Sequence, residues 1–162
     1  MQNKNTEKDV SPFPDQDTIQ HDVAHATYRS KLDMSEAYKQ ICICNEDIPK
    51  MAFATIFGTF MSWIMQQGDC NALLTFQRLM TSVFHDFIVR FIHVYLDNMF
   101  VYSSTIKEQE NHLSRVFNKL WEVQLYLSQD KVNLHSERMD CHIITHAGIH
   151  ENAKNTGLVT AM

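Results

Sequence analysis

The chain has 162 residues, a length suited to one domain. With 44% hydrophobic and 20% charged residues it can bury a core, which excludes a wholly disordered tail, a collagen-like repeat and a cysteine-stapled miniprotein. The balance of 14 basic against 19 acidic side chains gives a formal net charge of -5, which argues against tight non-specific nucleic-acid binding but leaves room for a local basic groove. The opening MQNKNTEKDV lacks the apolar centre of a signal peptide, and no run approaches the length of a membrane span. An intracellular chain, in cytoplasm or nucleus and with reduced thiols, is the expectation.

Residues 1–22 are polar and hold Pro12 and Pro14, so they read as an extended lead-in. Residues 28–32 form a short run leading into Asp33, and residues 40–44 alternate polar with apolar; both read as strands, with a helical turn at 35–38 between them. On such a strand Cys42 and Cys44 share a face and read as packing residues rather than a redox pair. Residues 51–64 are apolar, β-prone and broken by Gly58, which suggests a hairpin.

A polar loop at 66–71 follows, with Asn71 or Asp69 placed to cap a helix. Leu73, Phe76, Leu79, Met80, Val83, Phe84 and Phe87 recur at steps of three and four, which predicts an amphipathic helix. Residues 89–101 are the most apolar part of the chain, and Asp97-Asn98 between two short apolar runs signals a tight hairpin. A second helix is predicted over 106–124, with Leu113, Val116, Phe117, Leu120 and Val123 as its core stripe. Short β-like pieces near Val132 and over 140–144 come last, and residues 151–162 read as a flexible tail. Trp63, Tyr102, Trp121 and the methionines read as core. The pattern is α+β: a mostly antiparallel sheet with helices on one face.

Two carboxylates carry the chemistry. Asp33 follows a strand, and Asp97 sits at a hairpin tip between Val94, Leu96, Met99, Phe100 and Val101. A solvated turn residue explains Asp97 taken alone, because Asp favours turns. Two strand-end carboxylates brought together would instead hold a divalent metal for phosphoryl transfer. His142, His146 and His150, beside Cys141, have the spacing of zinc ligands on a helix, but Thr145 and Gly148 weaken a helix there.

Five blocks in order, SKLDMSEAYKQI (30–41), NEDIPKMAF (45–53), NALLTFQRLM (71–80), FIHVYLDNMFVYS (91–103) and HLSRVFNKLWEVQLYLSQDK (112–131), with SPFPDQDTI (11–19) upstream, resemble the reverse transcriptase of gypsy-type LTR retrotransposons. The resemblance covers residues 5–150. It implies a polymerase palm with part of the fingers over residues 23–150. It further implies RNA-directed DNA polymerisation by two-metal nucleotidyl transfer to a primer 3′-hydroxyl, with Mg2+ (or Mn2+) as cofactor and an RNA or DNA template-primer and dNTPs as partners. By the same resemblance Asp33 and Asp97 are the catalytic metal ligands, and Tyr38, five residues after Asp33, closes the sugar pocket. Gln67 and Gly68 lie under the incoming nucleotide.

Departures from that pattern matter as much as the matches. Asn98 stands where the family has its second turn aspartate, a degenerate catalytic position. Cys42 replaces a basic residue, Leu73 replaces a proline, and the segment after Cys141 lacks the family's Gly. The blocks that clamp the triphosphate, and the thumb, connection and ribonuclease H portions, are not found among the 162 residues. These departures, with the acidic charge, predict a truncated, degenerate copy with impaired activity and weak, salt-sensitive nucleic-acid binding. The alternative from another class is a non-catalytic retrotransposon remnant or interaction module.

Overall fold

Most of the apolar residues that alternate along the chain meet in one four-stranded antiparallel sheet. A computed structural model describes residues 4, 6–10, 12–136, 139–140 and 158–159. In chain order these form α1 (Gln16–His25), β1 (Tyr28–Asp33), β2 (Ala52–Thr55), β3 (Gly58–Met61), α2 (Ala72–Val83), β4 (Ile92–Tyr95), β5 (Asn98–Ser103), α3 (Ile106–Glu122) and β6 (Asn133–Ser136). A short pair, β7 (Met139–Asp140) and β8 (Leu158–Val159), follows. The main sheet runs β4-β5-β1-β6, and β2-β3 is a separate hairpin.

Alternation along β4 and β5 builds a core on each face of the sheet. Ile92, Val94, Met99 and Val101 face α2 and α3, where Phe76, Met80, Leu113, Val116 and Leu120 complete the larger cluster. Tyr95 and Phe100 face the other way and pack, with Leu96, against Ile19 and Val23 of α1. The two long helices therefore share one face, and a third covers part of the other.

That third helix corrects the expectation of an extended lead-in, and it crosses the boundary placed at residue 22. Asp15 caps it, accepting from the Thr18 N–H at 3.2 Å. Its apolar content is low, so only Ile19 and Val23, one turn apart, are buried. Arg29, fully buried on β1, donates to the Ala24 and Ala26 carbonyls at the end of α1, where the helix dipole favours a cation.

Other departures are local. Residues 40–44 are not a strand. A 3-10 turn occupies Ala37–Gln40, and Cys42 makes only an isolated bridge to Ile64. The alternation is present, but Ile41 and Ile43 take the inner side, so Cys42 and Cys44 are exposed rather than packed. Helix α2 ends at Val83, and Phe84 and Phe87 continue in turns. Asn71 holds the cap position without capping. Its side chain instead accepts from the Asp9 N–H at 3.0 Å and donates to the Glu7 carbonyl at 2.8 Å. Helix α3 starts with a capping box made by Thr105 and Glu108.

Met34, Met65, Met80 and Met99 are core, as expected, whereas Trp63 (68% exposed) and Trp121 (75%) are not. Trp63 follows a hairpin whose two strands are exposed along their whole length. Trp121, Phe117 and Val123 lie outside the buried stripe of α3, which is narrower than the apolar periodicity implied. His142, His146, His150, Cys141 and the rest of the expected tail lie outside the described residues. Among the described residues no helix is long and apolar enough to cross a membrane.

Candidate active site

Asp33 closes β1, Asp97 immediately precedes β5, and these two strands are the paired centre of the sheet. Asp33 lies directly across from Asn98. The Met34 N–H donates to the Asp97 carbonyl at 2.9 Å, and the Ser128 N–H donates to the Asp33 carbonyl at 2.8 Å. Both carboxylate-bearing residues are thus held by backbone bonds at one end of the sheet.

The turn differs from the expected Asp-Asn tip. Tyr95 pairs with Asn98, so the loop residues are Leu96 and Asp97, and Asn98 already belongs to the ladder. Leu96, not Asp97 or Asn98, takes the left-handed conformation, with φ of 54°. For a residue with a Cβ this strain costs about 1–2 kcal/mol. Burial of the Leu96 side chain against Ile19, Val23 and Phe100 offsets it.

The charges are arranged in a short chain. The buried Asp33 has the Lys131 ammonium 3.5 Å from its Oδ1. Asn98 Nδ2 donates to Asp97 Oδ1 at 3.2 Å, while Asn98 Oδ1 is buried with no hydrogen-bond partner among the described residues. Tyr38 is buried with its ring 5.4 Å from that of Phe76. Its hydroxyl is pushed up to about 12, first by burial and then by the Asp97 carboxylate. Nearby in the chain, Gln40 donates to the Tyr126 carbonyl at 2.9 Å and accepts from its N–H at 2.7 Å.

A cavity of about 500 Å³ opens here, and its lining includes Tyr38, Gln67, Gly68, Asp97 and Lys131. Asp33 reaches its rim through Lys131. The structure therefore gathers Asp33, Asp97, Tyr38, Gln67 and Gly68 at one end of the sheet or around this cavity, with Asn98 beside Asp97. Lys131, 98 residues from Asp33, was missed. No local pattern marks it, although it ends the last of the five blocks. Gln77, not singled out in the sequence, touches the turn itself.

Two carboxylates and an orphaned amide oxygen are hard oxygen donors, the set that suits Mg2+ or Mn2+ rather than a soft ion. The residues present fit such a metal. The set is sparse: among the described residues no three His, Cys, Asp or Glu side chains gather into a metal-holding group.

The family model for reverse transcriptase (RNA-dependent DNA polymerase) matches residues 1–156. The chain belongs to this family. Among curated relatives, an RNA-directed DNA polymerase homolog of Oenothera berteroana is 37% identical over 113 residues, covering 68% of this chain and 80% of the relative. The Retrovirus-related Pol polyprotein from transposon 297 of Drosophila melanogaster is 32% identical over 152 residues, covering 93% of this chain and 14% of the relative. The corresponding polyprotein of transposon gypsy is 25% identical over 138 residues, 85% of this chain and 13% of that one. The chain thus spans a small part of the polyproteins and most of the plant homolog. A foamy viral protease-reverse transcriptase solved in complex with double-stranded DNA superposes with a TM-score of 0.78 at 20% identity, covering 85% of this chain and 24% of that one. That likeness establishes the reverse transcriptase fold, and with it the α+β palm and fingers.

Proposed function

We propose that this chain carries a fingers-palm portion of an RNA-directed DNA polymerase, helix α1 included, whose site retains metal and nucleotide binding but catalyses poorly. The observation that supports it most is the placement of Asp33 and Asp97 at the same end of two directly paired central strands, beside the cavity lined by Tyr38, Gln67 and Gly68. Asp33 and Asp97 would hold Mg2+ or Mn2+. A bound divalent ion supplies electrostatic stabilisation of the charge that develops on a triphosphate during phosphoryl transfer.

The chain's own residues do the rest. Tyr38, kept protonated by burial, presents a flat wall against the sugar of an incoming nucleotide. Gln67 and Gly68 line the same cavity. Lys131 neutralises Asp33 in the free protein and offers the cavity a cation for phosphate oxygens.

Poor catalysis follows from Asn98. Its amide satisfies Asp97 without a metal, and it brings no charge of its own. One unit charge pair at about 4 Å is worth about 4 kcal/mol at an effective dielectric of about 20. If that stabilisation is missing from the transition state, the rate falls about a thousandfold. Template-primer binding should be weak and should fall as salt rises, because the chain carries a net charge of -5.

Primer extension by the purified chain, with Mg2+ or Mn2+ and a labelled hybrid duplex, tests this directly. The expected result is measurable Mn2+ and dNTP binding with extension close to background. Robust extension would overturn the impairment, and absence of Mn2+ binding would overturn the site.

A further inference from the structure

We propose that Gln77, from helix α2, is a positioning residue that holds the strained Leu96-Asp97 turn and thereby sets where the Asp97 carboxylate stands. The proposal rests on reading Asp97 as a metal ligand, and it adds the device that keeps that ligand in place. Gln77 is 4% exposed, and its side-chain amide spans both sides of Tyr95. Its Oε1 accepts from the Leu96 N–H at 2.7 Å, and its Nε2 donates to the Val94 carbonyl at 3.1 Å.

The geometry is that of a missing strand. Among the described residues β4 is the edge of the sheet, and one row of its backbone groups has no neighbouring strand. Val94 and Leu96 are two apart, and their carbonyl and N–H point the same way along that edge. A side-chain amide presents its acceptor oxygen and the N–H cis to it on one edge, as the C=O and N–H of a single residue on a neighbouring strand do. Gln77 therefore completes the ladder for one step, at the step where the backbone turns left-handed. Leu96 is the residue before Asp97, so releasing its N–H frees the dihedral that aims the carboxylate. Asn98 and Met34 hold the far side of the turn, leaving Gln77 as the hold on the near side.

The test compares Gln77→Met, which keeps length and apolar bulk but loses the amide, with Met80→Ala, which opens the same helix-sheet core away from the turn. Three quantities are read: the melting temperature, Mn2+ affinity by spin resonance, and amide exchange at residues 94–98. Gln77→Met should weaken Mn2+ binding about tenfold and speed exchange at Leu96 and Asn98 about tenfold or more. Met80→Ala should lower the melting temperature at least as much while leaving Mn2+ affinity within about twofold. Equal effects of the two variants on Mn2+ affinity and on turn exchange would overturn the proposal, because Gln77 would then be ordinary packing.

Should Gln77→Met fail to fold, the parent protein still decides the matter. Its Leu96 amide must exchange at least about a hundredfold more slowly than an open edge amide, and an unprotected Leu96 amide overturns the latch. A parent that binds no Mn2+ refutes the metal site instead, and the exchange data then judge the latch alone.

Discussion

Two hairpins of this chain obey the same local rules and end in opposite environments. The β4-β5 hairpin turns on Leu96-Asp97, and its strands are buried along most of their length. The β2-β3 hairpin turns on Ile56-Phe57, with Thr55 and Gly58 closing it, and every residue of both strands is exposed. Gly58 supplies the φ of 128° that closure needs, and the Thr55 hydroxyl bonds the Gly58 carbonyl at 3.0 Å. Residues 51–68 carry no charged side chain at all, so apolar content does not separate the two hairpins. What separates them is company: α1, α2, α3 and β1 brace one, and the Phe53-Phe60 pair at 6.2 Å is much of what the other has.

The largest expected effect tests that contrast. Phe100→Ala empties a fully buried site between α1 and the sheet and should destabilise by about 3–5 kcal/mol. Phe57→Ala, at a side chain 85% exposed, should change stability by less than about 0.5 kcal/mol and should reduce self-association at high concentration. Urea titration and concentration-dependent light scattering read the two outcomes. Comparable losses from both would mean that the β2-β3 hairpin is covered in solution.

A second effect sharpens the view of the braced hairpin. Asn98→Asp removes the amide that donates to Asp97 and places a third carboxylate beside Asp33 and Asp97. Without metal it should destabilise by about 2 kcal/mol, the scale of a lost bond to a charged group. Mn2+ should restore most of that stability by binding the folded state alone. Melting curves with and without Mn2+ read this. A variant that is equally stable in both conditions would mean that the three side chains do not share an ion.

What could be read from residues alone follows the strength of each pattern. Helices α2 and α3 and the two hairpins were legible because their periodicity is long and their turns are marked. Helix α1 was not, because a polar segment with two buried side chains one turn apart has almost no apolar periodicity. The αL residue of the turn was missed for a different reason. Propensity favours Asp or Asn there, but the register fixed by Tyr95 and Asn98, and the burial of Leu96, override it. Lys131 and Gln77 reach the site across long sequence separations, which no local spacing encodes.

The smallest effect, and the most selective, is in pH. The β2-β3 hairpin has no titratable group, whereas both braces of β4-β5 do. On the α3 side, His112 takes part in a 2.7 Å hydrogen bond with the Ser103 hydroxyl and stacks on Phe91 at 4.0 Å. Burial, and then the Arg115 cation, hold its pKa below the ordinary 6.5. The folded chain therefore binds fewer protons at His112 than the unfolded chain does. Its contribution is complete above about pH 6.5 and is lost as pH falls through the lower folded value.

On the α1 side, the hydrogen bond from His93, at 2.8 Å, is the main cause that lowers Asp22 below its ordinary 3.8, with His21 adding to it. Here the stabilisation is present above about 3.8 and disappears below it. The two braces should thus weaken in separate windows, His112 first and Asp22 later, as the solution is acidified. His112→Gln should flatten the upper window alone, and Asp22→Asn the lower one alone, in urea midpoints measured from pH 3 to 8. Amide exchange within β2-β3, corrected for its intrinsic pH dependence, should not follow either window. If it does, the two hairpins open together, and the contrast between a braced and a free hairpin is wrong.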